Sequence, residues 1–219
     1  MILLDSVSSI QVARSESVID IVLKGGWILI PILLMSILAV YFMIERFTII
    51  SSVSKIDQGF IDEICKLVKE KDYNSVREIC RKYPHPVAQA INVGFENTGL
   101  QAKDIEQAMA DEAKSQAFIL EKNLSYIGII ASVAPMFGFL GTIFGVIKIF
   151  YNISLADNIS IGIIAGGLYQ KMVSSAAGLT VGIIAYSGFY YLNTMIDNFV
   201  HNMERSLTKV ANAVKGNQL

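Results

Sequence analysis

The stretch APMFGFLGTIFG, residues 134–145, decides the fold of this chain. It lies inside a run of 21 residues without a charged side chain, from 127 to 147. Two further uncharged runs cover 18 residues from 27 to 44 and 21 residues from 172 to 192. About 20 helical residues, at 1.5 Å each, cross the roughly 30 Å of hydrocarbon in a bilayer. The sequence therefore predicts an all-α membrane protein with three transmembrane helices.

The composition agrees with this interpretation. Of the 219 residues, 53% are hydrophobic and 17% are charged, whereas soluble domains carry about 25% charged residues. The net charge of −1 offers no basic surface for a nucleic acid. The sequence contains no nucleophile–base pair, phosphate-binding loop or dinucleotide fingerprint. We therefore expect a protein that is not an enzyme. Cys65 and Cys80 are expected to be reduced thiols.

The lysine and arginine counts predict the orientation of the three helices. Eleven of these residues lie in 45–126, two in 1–24 and none in 152–158. Because positive residues stay on the cytoplasmic side, we expect the N-terminus outside and the C-terminus in the cytoplasm. The predicted segments are an outer amphipathic segment (1–24), transmembrane helix 1 (25–46), a cytoplasmic helical domain (47–102), a long helix containing transmembrane helix 2 (103–151), a short outer loop (152–158), transmembrane helix 3 (159–192) and a cytoplasmic helical tail (193–219).

Apolar periodicity extends two of the membrane helices beyond the bilayer. From about Ala102, apolar residues recur every three or four positions up to Ile127, which predicts one unbroken helix. After the third span, alternating spacings of four and three form a heptad seam. We expect this seam to pack against copies of itself; packing on the helices of the same chain's own loop is the alternative. The seam comprises Ile196, Val200, Met203, Leu207, Val210 and Val214.

Caps and prolines divide the cytoplasmic domain into short helices. Asp72 can cap one helix, and Pro86 suits the first turn of the next. His85, between two prolines, and His201 have no further ligands at metal-binding spacing. We therefore expect a structural turn at His85 and no metal site.

Small and polar side chains form common faces on the second and third membrane helices. Thr142 shares a face with Pro135 and Gly138, and Lys171 shares one with Ser175. Small residues four positions apart let helices approach closely in lipid. A three-helix monomer offers little interface for so many of them, so we expect a homo-oligomer. The residues predicted to pack the helices and line a pore are Pro135, Gly138, Gly141, Gly145, Gly178 and Gly182.

Lys171 interrupts a long apolar run that begins near Ile159. A lysine at mid-bilayer costs about 2.5–3.5 kcal/mol, so it is usually functional or paired. The alternative is that Lys171 lies near the outer boundary and extends its ammonium group into the headgroup layer. The sequence alone leaves both interpretations open.

Three motifs resemble those of the MotA/TolQ/ExbB proton-channel family. Residues 134–145 are similar to the family's motif running from a proline to GLxGTVxG, and residues 174–179 (SSAAGL) are similar to its small-residue stretch. Three spans with the large loop after the first are similar to the ExbB and TolQ types. The matching residues around the first helix are Gly25, Gly26, Trp27, Pro31, Ser36, Glu45 and Arg46.

The resemblance implies a homopentamer around a central pore in the bacterial inner membrane, with a periplasmic N-terminus. The pore would surround an ExbD- or TolR-like single-span partner, whose aspartate carries the coupling proton. The pentamer would then work on a TonB- or TolA-like protein, without a cofactor. By matching position, Thr142 and Ser175 are hydroxyls on the ion pathway. Gln170 stands where many relatives carry a glutamate and is followed by Lys171, so the pathway here contains different groups at this position.

The resemblance favours an ExbB-like subunit that energises outer-membrane transport. A TolQ-like subunit serving envelope integrity is the alternative within the family. A passive membrane scaffold and a solute transporter are alternatives from other classes. The few polar groups within the spans and the lack of an inverted repeat argue against a transporter.

Overall fold

A computed structural model describes residues 26–96, 101–155 and 161–216. Within these ranges the chain is helical and contains no β-strand. The side chains of Ile163 and Gln170, the predicted outer segment 1–24 and part of the predicted loop 152–158 lie outside the description. The helices are α1 (Leu29–Val53), α2 (Gln58–Lys69), α3 (Tyr73–Lys82), α4 (Pro86–Gly94), α5 (Ala102–Glu121), α6 (Leu124–Ser154) and α7 (Ile161–Gly216).

Three of these helices are long and apolar enough to cross a membrane, namely α1, α6 and α7. Helices α6 and α7 each contain one of the uncharged runs, and α1 contains the remaining run except for its first two residues. Many of their large apolar side chains are exposed, including Ile30, Phe139 and Ile183. Such surfaces suit a lipid environment, because a soluble protein rarely leaves extensive apolar area in water. The all-α membrane fold predicted from the sequence is thus confirmed.

The chain divides into two compact units, which are described separately below. The first comprises the described residues up to Ser36 together with Ser132–Ile183, and its core is formed by α1, α6 and α7. The second comprises Ile37–Ala131 and the chain from Ile184 onward. The core of the first unit contains Ile28, Leu29 and Ile32, packed against Met35, Phe137, Ala177 and Val181.

The short helices of the second unit begin at the caps that the sequence predicts. Asp72 Oδ1 accepts a hydrogen bond from the Ser75 backbone N–H at 3.1 Å, and Pro86 lies in the first turn of α4. Asp57 caps α2 in the same way, accepting from the Gly59 N–H at 2.8 Å. Each cap satisfies a backbone donor that the first helical turn leaves unpaired.

The predicted unbroken helix over 103–151 is wrong at one point, because the chain breaks between α5 and α6 at Lys122 and Asn123. Asn123 has a φ of 68°, a left-handed conformation that asparagine tolerates better than most residues. Its side-chain amide approaches the two Glu45 carboxylate oxygens at 3.3 and 3.4 Å. Periodicity does not reveal the break, since Leu120 and Leu124 on either side are both buried.

Helix α7 runs without interruption over Ile161–Gly216, in agreement with the predicted continuation to about Val214. Its heptad seam, however, is buried within a single chain. Leu207 lines one cavity with Met109 and Ala113 of α5, and Lys215 Nζ lies 2.7 Å from Glu106 Oε2. The expectation that the seam faces copies of itself is therefore corrected: packing on the same chain's helices accounts for its burial. The buried seam residues are Ile196, Met203, Leu207, Val210 and Val214.

Candidate functional site

In the first unit, α6 and α7 approach until their backbones touch. A β-carbon added at Gly178 would stand 2.6 Å from the Ala134 carbonyl oxygen and 2.9 Å from the Gly138 α-carbon. A β-carbon at Gly138 would stand 3.1 Å from both the α-carbon and the carbonyl oxygen of Ser175. At Gly178 a β-carbon would overlap backbone atoms, and at Gly138 it would be tight, so these two predicted packing glycines lie at a contact within one chain.

Ser174 completes this contact and was not among the residues predicted for the ion pathway. It is fully buried, and its hydroxyl donates to the Lys171 carbonyl oxygen at 2.9 Å. A β-carbon added at Gly141 would stand 3.0 Å from Ser174 Oγ. The spacing of four residues between Ser174 and Gly178 is the sequence signal for its position on the packed face.

Lys171 packs its aliphatic stem against Gly145. A β-carbon at Gly145 would overlap the γ, δ and ε carbons of Lys171. The side chain is half-buried and forms no ion pair with any residue that the structure describes. Lys148, by contrast, is exposed. The two lysines of the membrane helices therefore differ. Among the described residues, the side chain of Lys171 packs against a glycine of the neighbouring helix, whereas that of Lys148 is exposed.

The two predicted pathway hydroxyls are both partly exposed in the chain. Thr142 Oγ1 donates to the Phe139 carbonyl oxygen at 2.6 Å, which leaves its oxygen free to accept a hydrogen bond. The backbone of Ser175 touches Gly138, one helical turn before Thr142. No hydrogen bond joins the two hydroxyls within the described ranges. The backbone of Gln170 lies in α7.

The remaining small residues have different surroundings. Gly182 is buried, and Pro135 lies within α6, where the lack of an N–H removes one intrahelical hydrogen bond. A β-carbon at Gly166 would meet nothing within 4 Å. Some small residues thus serve contacts within the chain, whereas Gly166 faces open space.

In the second unit, the buried Arg46 pairs with the half-buried Glu45 where α1 passes the break between α5 and α6. Arg46 is 5% exposed, and its guanidinium lies 2.9 Å from Glu45 Oε1. The Nε atom of Arg46 is buried and has no hydrogen-bond partner in the described part of the chain. Glu45 also receives the Asn123 amide. One carboxylate therefore holds both a buried cation and the left-handed residue at the helix break.

His85 occupies a structural turn, as its position between two prolines predicts. Its Nδ1 accepts from the Val87 backbone N–H at 3.2 Å, and its Nε2 lies 3.1 Å from the Val53 carbonyl oxygen. Burial lowers the pKa of this imidazole, and burial raises the pKa of the Cys80 thiol to about 12. Neither group is poised for chemistry at neutral pH. Among the residues described, no cluster of three His, Cys, Asp or Glu side chains could hold a metal ion.

The sequence is similar to a known family of membrane proteins. A model of the "MotA/TolQ/ExbB proton channel family" matches residues 82–205, which include α6 and most of α7. The biopolymer transport protein ExbB-like 3 of Synechocystis sp. is 24% identical over 74% of this chain and 78% of its own. An ExbB homologue of Methanothermobacter thermautotrophicus is 25% identical over 86% of this chain and 67% of its own. The biopolymer transport protein exbB1 of Vibrio cholerae is 27% identical over 48% of this chain and 46% of its own.

Proposed function

Because the chain belongs to the MotA/TolQ/ExbB proton channel family, we propose that it is the ring-forming subunit of a proton-driven motor in the bacterial inner membrane. Five copies surround a central pore, with the N-terminus of each in the periplasm and the C-terminus in the cytoplasm. An ExbD-like partner with one membrane span and an intramembrane aspartate occupies the pore. The motor energises outer-membrane transport through a TonB-like protein. The names of the relatives support this role over that of a TolQ-like subunit.

The contact between α6 and α7 is the observation that carries the proposal. It is tight enough to exclude a side chain at Gly178, yet Thr142, Ser175 and Lys171 remain partly exposed at its edge. A rigid helix pair that presents a few polar groups in an otherwise apolar surface suits the wall of an ion pathway. Polar side chains within a membrane are costly unless they serve such a role.

The two hydroxyls have the chemistry required to hydrogen-bond to a partner's carboxylate. An isolated carboxylate in a low-dielectric pore is costly, so it needs hydrogen-bond donors or water where it discharges its proton. The Thr142 oxygen can accept a hydrogen bond while its own O–H donates to the Phe139 carbonyl oxygen. Ser175 supplies a second hydroxyl on the neighbouring helix. Together the two hydroxyls stabilise the partner's carboxylate by hydrogen bonding where it takes up and gives up its proton.

Lys171 supplies a positive charge near these two hydroxyls. Its stem is held against Gly145, which limits the directions that the ammonium group can take. An opposite charge within about 4–6 Å favours the ionised form of a carboxylic acid. The ammonium group of Lys171 thus assists the partner's aspartate in releasing its proton. Many members of the family carry a glutamate where this chain has Gln170. In this chain the next residue, Lys171, supplies the charged group instead.

The membrane potential supplies the driving energy of the proposed motor. One elementary charge that crosses 100 mV gains about 2.3 kcal/mol.

Reconstitution tests the proposal. The full chain is placed in lipid vesicles with and without an ExbD-like one-span protein, an acidic exterior is imposed, and a proton-sensitive dye is read inside. We expect proton entry only when both proteins are present, and native mass spectrometry should show five copies of this chain. Absence of proton entry in the complete complex, or a monomer in mild detergent, contradicts the proposal.

A further inference from the structure

A cavity of about 410 Å³ opens in the second unit, where helices α3, α4 and α5 meet. This volume lies within the range of about 300–1,000 Å³ that small-molecule sites occupy. The contact between α6 and α7 that carries the proposed channel belongs to the first unit, so the cavity is a separate site. Its wall includes Arg81 of α3, the turn at Tyr83 and His85, Asn92 of α4 and Gln116 of α5.

Among the described residues that line the cavity, Arg81 carries the full charge. Its side chain is exposed and forms no ion pair in the described part of the chain. The described lining contains no Asp or Glu, and His85 is neutral at pH 7 because burial lowers the pKa of its imidazole. The cavity therefore suits an anionic group on its ligand and has no carboxylate to pair with an ammonium group.

Gln116 leaves a hydrogen-bond acceptor for the cavity. The residue is 6% exposed, and its Nε2 donates to Glu112 Oε1 at 2.7 Å. An ionised carboxylate only accepts hydrogen bonds, so this bond fixes which end of the Gln116 amide is the NH₂ group. Within the described ranges, no residue donates to the remaining carbonyl oxygen. A ligand in the cavity should therefore bring an N–H or O–H donor.

Asn92 adds a second amide to the wall. Its Oδ1 is buried and accepts no hydrogen bond from the residues that the structure describes. A buried acceptor without a donor is costly. Rotation of the terminal amide about its last bond can pair this oxygen with a donor that enters the cavity. The two amides thus favour a ligand with uncharged N–H groups.

The aromatic rings at the cavity argue against a nucleotide ligand. Nucleobases bind by stacking on an open aromatic face. Tyr83 is already stacked on both Phe60 and His85, with ring centroids 4.5 and 5.4 Å away. Two stacked partners occupy the two faces of a ring, so the phenol of Tyr83 offers no further face to a base.

We propose that this cavity binds a small carboxylate that carries uncharged amide N–H groups. The carboxylate pairs with the Arg81 guanidinium, and the N–H groups donate to the amide oxygens of Asn92 and Gln116. The binding is non-covalent and does not depend on the proposed channel function. His85 Nε2 also lies 3.1 Å from the carbonyl oxygen of Val53, the last residue of α1, so an occupant contacts the turn that holds the end of a membrane helix.

N-acetyl-L-glutamine is the probe for this site, because it combines one carboxylate with a secondary and a primary amide. Isothermal titration calorimetry of the full chain in detergent measures its dissociation constant, which we expect to be about 1 mM for a ligand of this size. The methyl ester of the probe lacks the negative charge and should bind roughly tenfold more weakly. AMP is the comparison ligand and should bind more weakly than the probe.

Two neighbouring basic residues provide a matched pair of variants. Arg81→Met should weaken binding of the probe roughly tenfold, because it removes a charge-assisted pair. Lys82→Met should bind like the wild type. Lys82 shares the last turn of α3 with Arg81, but it pairs with Glu78 at 2.6 Å and does not line the cavity. Melting temperatures without the probe check that both variants fold.

Asn92→Leu separates binding from a structural role. Leucine is similar in shape and removes an oxygen that is unpaired in the ligand-free chain. The melting temperature without the probe should therefore not fall, whereas affinity for the probe should fall roughly tenfold.

Several results would overturn the proposal. Failure of the wild-type chain to bind the probe at tenfold the expected dissociation constant would mean that the cavity holds water. Wild-type affinity in Arg81→Met or Asn92→Leu, or equal losses in Arg81→Met and Lys82→Met, would show that the cavity does not recognise the probe. Equal binding of the methyl ester, or tighter binding of AMP, would contradict the proposed class of ligand. The titration uses neither a partner protein nor a proton gradient, so its result is independent of the channel function.

Discussion

The aliphatic stem of Lys171 lies against Gly145, in space that any β-carbon at position 145 would fill. This pairing joins a charged side chain of α7 to a small residue of α6 within the first unit. It explains why a glycine and a lysine occur at these positions in a membrane helix pair. The pairing also restricts the conformations of the lysine, because a side chain held along its aliphatic carbons can extend toward the lipid headgroups in fewer rotamers.

The contacts around Gly178 and Gly166 predict that alanine substitutions at these two positions will differ in their effect on the free energy of unfolding. Gly178→Ala should lower the free energy of unfolding by about 1–3 kcal/mol, because its β-carbon would meet backbone atoms that cannot move aside. Gly166→Ala is the matched control on the same helix, where a β-carbon meets nothing within 4 Å. Thermal unfolding in detergent, followed by circular dichroism, measures both. Equal stability of the two variants would show that α6 and α7 are not in backbone contact.

Lys171 should matter for proton flux whereas Lys148 should not. Lys171→Met removes the charge that assists the partner's carboxylate, and we expect flux to fall roughly tenfold. Lys171→Arg keeps the charge and should retain most of the flux. Lys148→Met, at an exposed position on α6, should conduct like the wild type in the same vesicles. Unchanged flux in Lys171→Met would mean that this side chain reaches the membrane surface instead.

The helix break predicts a distinct effect at Asn123. Asn123→Ala should destabilise the chain by about 1–2 kcal/mol, because a β-carbon without a polar group is strained at a φ of 68°. Asn123→Gly adopts this conformation freely and loses only the long contacts with Glu45. Chemical denaturation should therefore rank glycine above alanine. The opposite order would indicate a continuous helix through residue 123.

Leu207 tests whether the heptad seam belongs to the chain's own core. Leu207→Ala should cost about 2–5 kcal/mol through the lost contacts and the cavity it leaves. The exposed Thr208 beside it provides the control variant Thr208→Ala. The drop in melting temperature from the wild type to Leu207→Ala should be the same at every protein concentration, since the contacts are within one chain. A concentration-dependent loss would instead place the seam between subunits.

The spans and the caps could be predicted because each depends on a local physical rule. An uncharged run of sufficient length indicates a membrane helix regardless of its neighbours, and Asp72 caps its helix through a backbone donor three residues away. The glycines on the packed helix faces were likewise predictable from their spacing, and Gly138 and Gly178 do lie in contact.

The break at Asn123 and the environment of the seam depend on tertiary contacts, which periodicity does not encode. Apolar residues continue in register across residue 123, so the sequence pattern favours one helix there. A heptad seam requires an apolar partner, but its spacing is the same whether that partner is α5 or another copy of α7. The sequence pattern does not single out the buried hydroxyl of Ser174 either, because a small apolar residue at that position would show the same four-residue spacing from Gly178.

The account's central claim is that the hydroxyl of Thr142 lies on the proton pathway. Thr142→Val keeps the shape of the side chain and removes its hydrogen bond to the Phe139 carbonyl. The control is Thr180→Val, because Thr180 is an exposed threonine of α7 that donates in the same manner to the Ala176 carbonyl oxygen at 2.8 Å. Both variants should assemble like the wild type by native mass spectrometry.

The decisive measurement is proton entry into vesicles that contain the complete complex under an imposed pH gradient. The account predicts that Thr142→Val abolishes proton entry, that Ser175→Ala reduces it more mildly because a water can replace so small a group, and that Thr180→Val leaves it unchanged. Full proton flux in Thr142→Val would contradict the assignment of this pathway, whatever the result for Lys171.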